Sequence, residues 1–184
     1  APTLKQKIDL EAAVGDRCGS VEVKFKDNSS GGKVRHTWTI DGGRTYTSER
    51  GDPMQITLTN STQVVKESVV SVVSRQTLPD GRECVRQFNP DFKVKVYPSL
   101  QATIAWEVDD WCEVPLRVRV RATGVQSDAQ CVWTTTAPQT ANSTGTNPVE
   151  LQFTNGEPEN DKEFTIRLAV EQRWSGGVTC RGEA

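Results

Sequence analysis

The 184 residues contain a single histidine, no closely spaced pair of cysteines and no long apolar run. Each absence excludes something. Structural zinc sites are built on pairs such as C-x2-4-C and on histidines, so a zinc module is excluded. Nothing approaches the ~20 apolar residues that span a bilayer, which excludes membrane insertion through a helix. The formal net charge is −2, so no basic field exists to recruit nucleic acid or an anionic membrane surface. Neither a phosphate-binding G-x-x-x-x-G-K-[ST] loop nor a dinucleotide fingerprint is present, and no cofactor is expected. His36 stands mid-strand with no serine or cysteine motif around it, so no catalytic triad is expected and the chain is not read as an enzyme. No signal peptide is visible and the chain begins at Ala1. It reads as a mature fragment with any targeting signal already removed.

What is present is a repeat. Cys18 aligns with Cys112, Trp38 with Trp133, Pro53 with Pro148 and Thr59-Asn60 with Thr154-Asn155. Lys66-Glu67 then aligns with Lys162-Glu163, Gly81 with Gly177 and Cys84 with Cys180. Pro2-Thr3-Leu4 aligns more loosely with Pro98-Ser99-Leu100. The offset drifts only from 94 to 96 residues, as one-residue insertions in loops would produce. The chain is therefore read as a tandem duplication, residues 1–97 and 98–184.

Alternation of apolar and polar residues with period two marks the strands. It runs through Val21–Lys26 and Leu116–Arg121, through His36–Ile40 and Cys131–Trp133, and through Ser68–Gln76 and Phe164–Glu171. Phe92–Val96 is a last strand of the first copy. Turn residues separate these runs, notably Asn28-Ser29-Ser30-Gly31-Gly32, Asp41-Gly42-Gly43 and Ser175-Gly176-Gly177. No stretch carries a helical stripe. About seven short strands per copy predict all-β architecture, with two tandem Ig-like β-sandwiches. Only four residues follow Cys180, whereas thirteen separate Cys84 from the end of the first copy at Tyr97. The last strand of the second sandwich is thus expected to be largely absent, leaving an edge for a third module or partner strand to complete.

Cysteines duplicated with their surroundings pair most simply within each copy, Cys18 with Cys84 and Cys112 with Cys180. One such bridge would stabilise a small sandwich by roughly 4 kcal/mol through loop closure. Cys131, in the place of His36, is read as a buried, inert thiol, with a reactive or intermolecular thiol as the other reading. Trp38 and Trp133 are expected to fill the two cores. Trp106, Trp111 and Trp174 have no counterparts, facing Ala12, Arg17 and Leu78 in the alignment. They either stack on sugar faces or cover a domain junction.

The acidic residues Glu107, Asp109, Asp110 and Glu113 would suit Ca2+ only if one loop gathered them, and they are read as a solvated approach to Cys112. Glu157, Glu159, Asp161 and Glu163 read as a polar loop. Arg117, Arg119 and Arg121 form one outward strand face, matched by the mixed charges Glu22, Lys24 and Lys26. That match reads as a solubilising face, with anionic glycan binding as the other reading. Asn28, Asn60 and Asn142 begin Asn-x-Ser/Thr triplets.

The order Cys18, strand Val21–Phe25, Asp27-Asn28-Ser29-Ser30-Gly31, Trp38 and Asp41-Gly42-Gly43 resembles the PKD domain, a β-sandwich marked by F-x-N-x-S-S and W-x-F-G-D-G. Gly81-Arg82-Glu83-Cys84 and Gly177-Val178-Thr179-Cys180 resemble the cysteine hairpins of PKD-like repeats in Bacteroidota gliding-motility adhesins and other type IX secretion cargo. Trp38–Gly43 is a blurred form of the second signature, and Trp133–Pro138 has lost it. The resemblance implies an extracellular or cell-surface location and a structural or adhesive role. Its partners would be neighbouring domains of the same polypeptide, another surface protein or a polysaccharide. PKD-like domains also occur beside polysaccharide-degrading domains, which makes a carbohydrate-binding accessory module the alternative.

Overall fold

A computed structural model describes residues 4–15, 17–136, 140–154 and 161–184. It divides into two compact units, Ala1–Pro98 and Ser99–Ala184. Among the described residues every regular element is a strand, so no helix is long and apolar enough to cross a membrane.

The first unit holds β1 (Ile8–Val14), β2 (Ser20–Asp27), β3 (Val34–Ile40), β4 (Arg44–Glu49), β5 (Met54–Thr59), β6 (Lys66–Thr77), β7 (Glu83–Gln87) and β8 (Phe92–Val96). One sheet has the order β1-β2-β5. The other runs β4-β3-β6-β7, with β8 pairing the first half of β6. All strand pairings are antiparallel. The alternation in β2 buries Val21, Val23 and Phe25, and that in β5 buries Met54, Ile56 and Leu58. Both rows meet Trp38, Ile40, Val70 and Val72 of the facing sheet in one core. The β3–β4 hairpin turns on Asp41 (φ 50°) and Gly42 (φ 69°), closed by the Gly43 amide donating to the Ile40 carbonyl at 2.9 Å. Two consecutive positive φ values define the turn whose twist suits a hairpin, and they explain the Asp-Gly pair there. Asp41 also ties this turn to β6, accepting from the Val69 amide at 2.8 Å and pairing with Lys66 at 2.7 Å.

The second unit holds β9 (Thr103–Val108), β10 (Leu116–Thr123), β11 (Gln130–Thr135), β12 (Thr140–Thr144), β13 (Val149–Phe153), β14 (Ile166–Arg173) and β15 (Thr179–Glu183). Its sheets, β13-β10-β9 and β12-β11-β14-β15, repeat the order of the first unit. The registers superpose: Trp38 faces Val72 as Trp133 faces Leu168, and Val23 faces Ile56 as Val118 faces Leu151. The core again draws on both sheets, with Val118, Val120 and Leu151 against Trp133, Leu168 and Val170. Each unit is thus β-sandwich-like. No strand equivalent to β8 is found among the described residues. The alignment positions Ala1–Thr3, Asp16, Ala137, Pro138 and Asn155 lie outside those residues, as do Glu157 and Glu159.

The disulfide expectation is corrected. Cys18 and Cys180 are disulfide-bonded, whereas Cys84, Cys112 and Cys131 are free thiols, so neither within-copy pair exists. The strand path explains it. Cys18 bridges to Tyr97, beside the Lys66 end of β6, because Lys66 faces Val96. Cys84 faces Gln76 at the other end of the same strand. Ten residues of strand lie between, about 33 Å at ~3.3 Å each, and a disulfide needs Cα atoms within ~7 Å. The second unit repeats the geometry. Cys112 lies in the β9–β10 loop beside Leu116, while Cys180 faces Gln172, beyond the Thr123 end where β10 leads into β11.

Candidate functional site

Trp38 and Trp133 are buried at 1% and 0% exposure, and each indole N–H has a serine partner. Trp38 Nε1 donates to Ser48 Oγ at 2.9 Å and Trp133 Nε1 to Ser143 Oγ at 3.2 Å. Ser48 and Ser143 share the repeat offset, the one sequence signal that marks this device. It satisfies a donor that would otherwise be buried at a cost of ~1–3 kcal/mol.

The lone histidine has companions that the sequence did not reveal. His36 is fully buried on β3, with Nδ1 2.7 Å from Ser74 Oγ on β6 and Nε2 3.0 Å from Asp27 Oδ2 at the end of β2. Gln6 Nε2 donates to the same Ser74 hydroxyl at 2.6 Å. Burial pushes the Asp27 carboxyl upward. Hydrogen bonds from Ser29 and the Gly51 amide, with the charge of His36, outweigh it and hold the pKa below the usual aspartate value. The carboxylate therefore accepts, which makes Nε2 the donor. The three groups have the connectivity of a Ser-His-Asp triad but not its access. Ser74 is fully buried, its hydroxyl is already engaged twice, and the Asp27 side chain is only 3% exposed. A nucleophile must reach substrate, so this chain of bonds is a clamp joining the two sheets.

At the equivalent positions of the second unit stand Ala122, Cys131 and Val170, all buried. Cys131 Sγ donates to the Gly145 carbonyl at 3.2 Å. Burial pushes the thiol pKa up, only partly offset by Ser143, which keeps the group protonated and inert.

The acidic and basic clusters neutralise each other. Asp109 pairs with Arg119 at 2.9 Å, and Arg117 pairs with Glu113 at 3.4 Å and Glu150 at 3.9 Å. Asp110 accepts from the Cys112 amide. No group of three potential metal ligands occurs among the described residues. Arg117 and Arg119 therefore do not form an uncompensated stripe. Of the Asn-x-Ser/Thr residues, Asn28 and Asn142 are exposed. Asn60 is buried, donating to the Val64 and Val96 carbonyls and accepting from Thr62, and in this fold it has no room for a glycan.

The open feature lies in the second unit. Trp106 on β9 and Trp111 in the following loop are 58% and 68% exposed, with ring centroids 6.1 Å apart and planes at 88°. They form one wall of an apolar cleft of about 460 Å³, whose other side includes Leu116, Phe164 and Ile166. Among the described residues Lys162 is the one charged residue lining it. Trp174 is not part of it. It sits half-buried in the β14–β15 hairpin, eight residues or about 26 Å along the strand from Ile166. The three tryptophans do not form a row.

The chain matches no protein-family model and no curated protein.

Proposed function

We propose that this chain is a non-catalytic structural or adhesive module, a stalk or spacer segment of a larger secreted or cell-surface bacterial protein, built from PKD-like sandwiches. The observation that carries this reading is the sealing of the Asp27, His36 and Ser74 side chains between the sheets, which turns the one triad-like constellation among the described residues into a fastening. The duplication supports it, since tandem sandwiches lengthen a polypeptide without adding chemistry. Disulfide-bonded Cys18 and Cys180 suit an oxidising compartment. Extension of single full-length chains under reducing conditions tests it. Two force-resisting unfolding steps, one per copy, are expected, and extension without a resisted step overturns the role.

The exposure of Trp106 and Trp111 favours a second reading, a carbohydrate-binding accessory module. Their perpendicular rings offer no shared flat face, and the cleft has few groups to meet sugar hydroxyls. Retention on a panel of insoluble polysaccharides, lost in a Trp106→Ala, Trp111→Ala double variant, would establish this reading in place of the first. No retention on any matrix supports the structural role.

A further inference from the structure

The net charge of −2 conceals a division between the two units. Residues 1–98 hold 15 Lys and Arg against 12 Asp and Glu, whereas residues 99–184 hold 7 against 12. The first unit thus carries +3 and the second −5. Part of the first unit's excess is gathered on the outer face of its five-stranded sheet.

Arg35 on β3 and Arg75 on β6 face each other directly in the register. Each is exposed between two buried neighbours, Val34 and His36 for Arg35, Ser74 and Gln76 for Arg75, so both side chains leave the sheet on the solvent side. Continuing the same register sets exposed Lys33 opposite exposed Thr77. The four residues line one polar cleft of about 590 Å³. Like charges directly opposite each other destabilise a sheet, and the carboxylates of this cleft do not come between them. Glu49 faces Arg35 from β4 and pairs with it at 3.0 Å. On the other flank Glu83 lies on β7 and reaches Arg75 at 3.5 Å. Both pairs are exposed, and Lys33 forms no ion pair among the described residues. The second unit inverts the pattern. Asp128, Gln130, Glu171 and Arg173 stand where the first unit has Lys33, Arg35, Arg75 and Thr77, so the sandwich itself does not require the three cations.

We infer that Lys33, Arg35, Arg75 and Thr77 bind a sulfate ester group of an anionic polysaccharide. Neighbouring strands lie ~4.8 Å apart and alternate residues ~6.6 Å along a strand, so the four side chains bracket a space the size of one tetrahedral group. The three terminal oxygens of a sulfate ester meet two guanidinium forks and an ammonium at once, with the Thr77 hydroxyl as a further donor. A planar carboxylate has only two oxygens to share among them. The charge matches as well. With Glu49 and Glu83 counted, the cleft carries +1, which a singly charged sulfate ester neutralises. A phosphate monoester carries about −1.5 to −2 at neutral pH, and the same two carboxylates oppose the extra charge. The matching face of a second copy is a poorer counterpart, because its Glu171 is already held by Arg173 at 3.0 Å and Arg181 at 3.3 Å. The inference goes beyond the proposed structural role and does not depend on it, since binding is read in solution and that role under force.

The probe is labelled short-chain dextran sulfate, titrated into the full chain at low ionic strength. Saturable binding that weakens with added salt is expected. Arg35→Gln with Arg75→Gln should weaken it at least tenfold, and Lys33→Gln about threefold. Lys26→Gln with Arg44→Gln removes the same charge from the first unit outside the cleft and should weaken binding less than twofold. Gln130 already stands at the position of Arg35 in the second unit, so the fold accepts the exchange, and unchanged thermal melting verifies that each variant is native. Unsulfated dextran should not bind. Carboxymethyl dextran and dextran phosphate of equal substitution should bind at least fivefold more weakly than dextran sulfate. Absence of saturable binding overturns the inference, as does equal loss in the two double variants, which would mean diffuse attraction without a site. Equal or tighter binding of the carboxylated or phosphorylated polymer overturns the assignment to sulfate. A salt-sensitive dimer that Arg35→Gln with Arg75→Gln abolishes and dextran sulfate fails to dissociate would give the cleft to a second copy instead.

Discussion

The two units share strand order, register and a central tryptophan, yet they solve two problems in opposite ways. Where the first unit encloses the side chains of Asp27, His36 and Ser74, the second buries Ala122, Cys131 and Val170. Where β8 covers the first half of β6, no strand among the described residues takes that place beside β14. The first contrast shows that one sandwich site accepts a fully connected polar chain or a fully apolar set. A half-converted site would leave a buried group unsatisfied, which is the costly case. The second contrast shows how much of a sandwich one short strand covers. Among the described residues its absence coincides with exposure of Trp106 and Trp111.

The broadest test of the comparison is thiol reactivity, because the cysteines repeat in sequence but not in state. With the native chain, a thiol reagent should modify exposed Cys112 fastest and half-buried Cys84 next. Cys131 should react on the order of a thousandfold more slowly, since reaching it requires opening the core. Cys18 and Cys180 should react only after reduction. Peptide mapping of the modified sites checks this order, and a protected Cys84 or Cys112 would break it.

Asp27→Ala should destabilise by about 3 kcal/mol in denaturant titration, because it strands His36 in the core. Adding His36→Cys and Ser74→Val copies the second unit's solution and should recover most of that loss. A triple variant no better than the single one would show that the two sites are not interchangeable. The same clamp makes a pH prediction. The folded pKa of Asp27 is depressed, so its contribution is complete above the unfolded value of ~3.9 and is lost as pH falls through the folded value. Below about pH 4 the native chain should therefore lose stability that the triple variant does not lose, as followed by acid titration of tryptophan fluorescence.

The smallest effect concerns what the units hold in common. Ser48→Ala and Ser143→Ala should each cost about 1 kcal/mol, with Ser48→Ala the larger because its bond to Trp38 is 2.9 Å against 3.2 Å for the Trp133 pair. Equal costs, or none, would mean that the indole N–H finds another partner.

Much of this was legible in the chain because the signals are local or duplicated. Period-two alternation in Val21–Phe25 and Leu116–Val120 states which residues face inward, since a strand's side chains alternate whatever the topology. Recurrence of Trp38 as Trp133 points to the core for the same reason. The serine partners of those tryptophans carried the repeat offset too, as did the buried Gln76 and Gln172 opposite the hairpin cysteines, but a polar residue's periodicity does not say what it bonds. Ser74 lies 38 residues from His36, and only the β3–β6 register brings them together.

By itself, then, the sequence determined the duplication, the strands, their inward faces and the aromatic centre of each core, because all of these follow from the spacing of residues along the chain. Tertiary structure decided which cysteines are oxidised and what the lone histidine touches. Those outcomes depend on which ends of which strands meet. A sandwich whose strands run 5–12 residues can place two cysteines of one repeat at opposite ends, however regular their spacing.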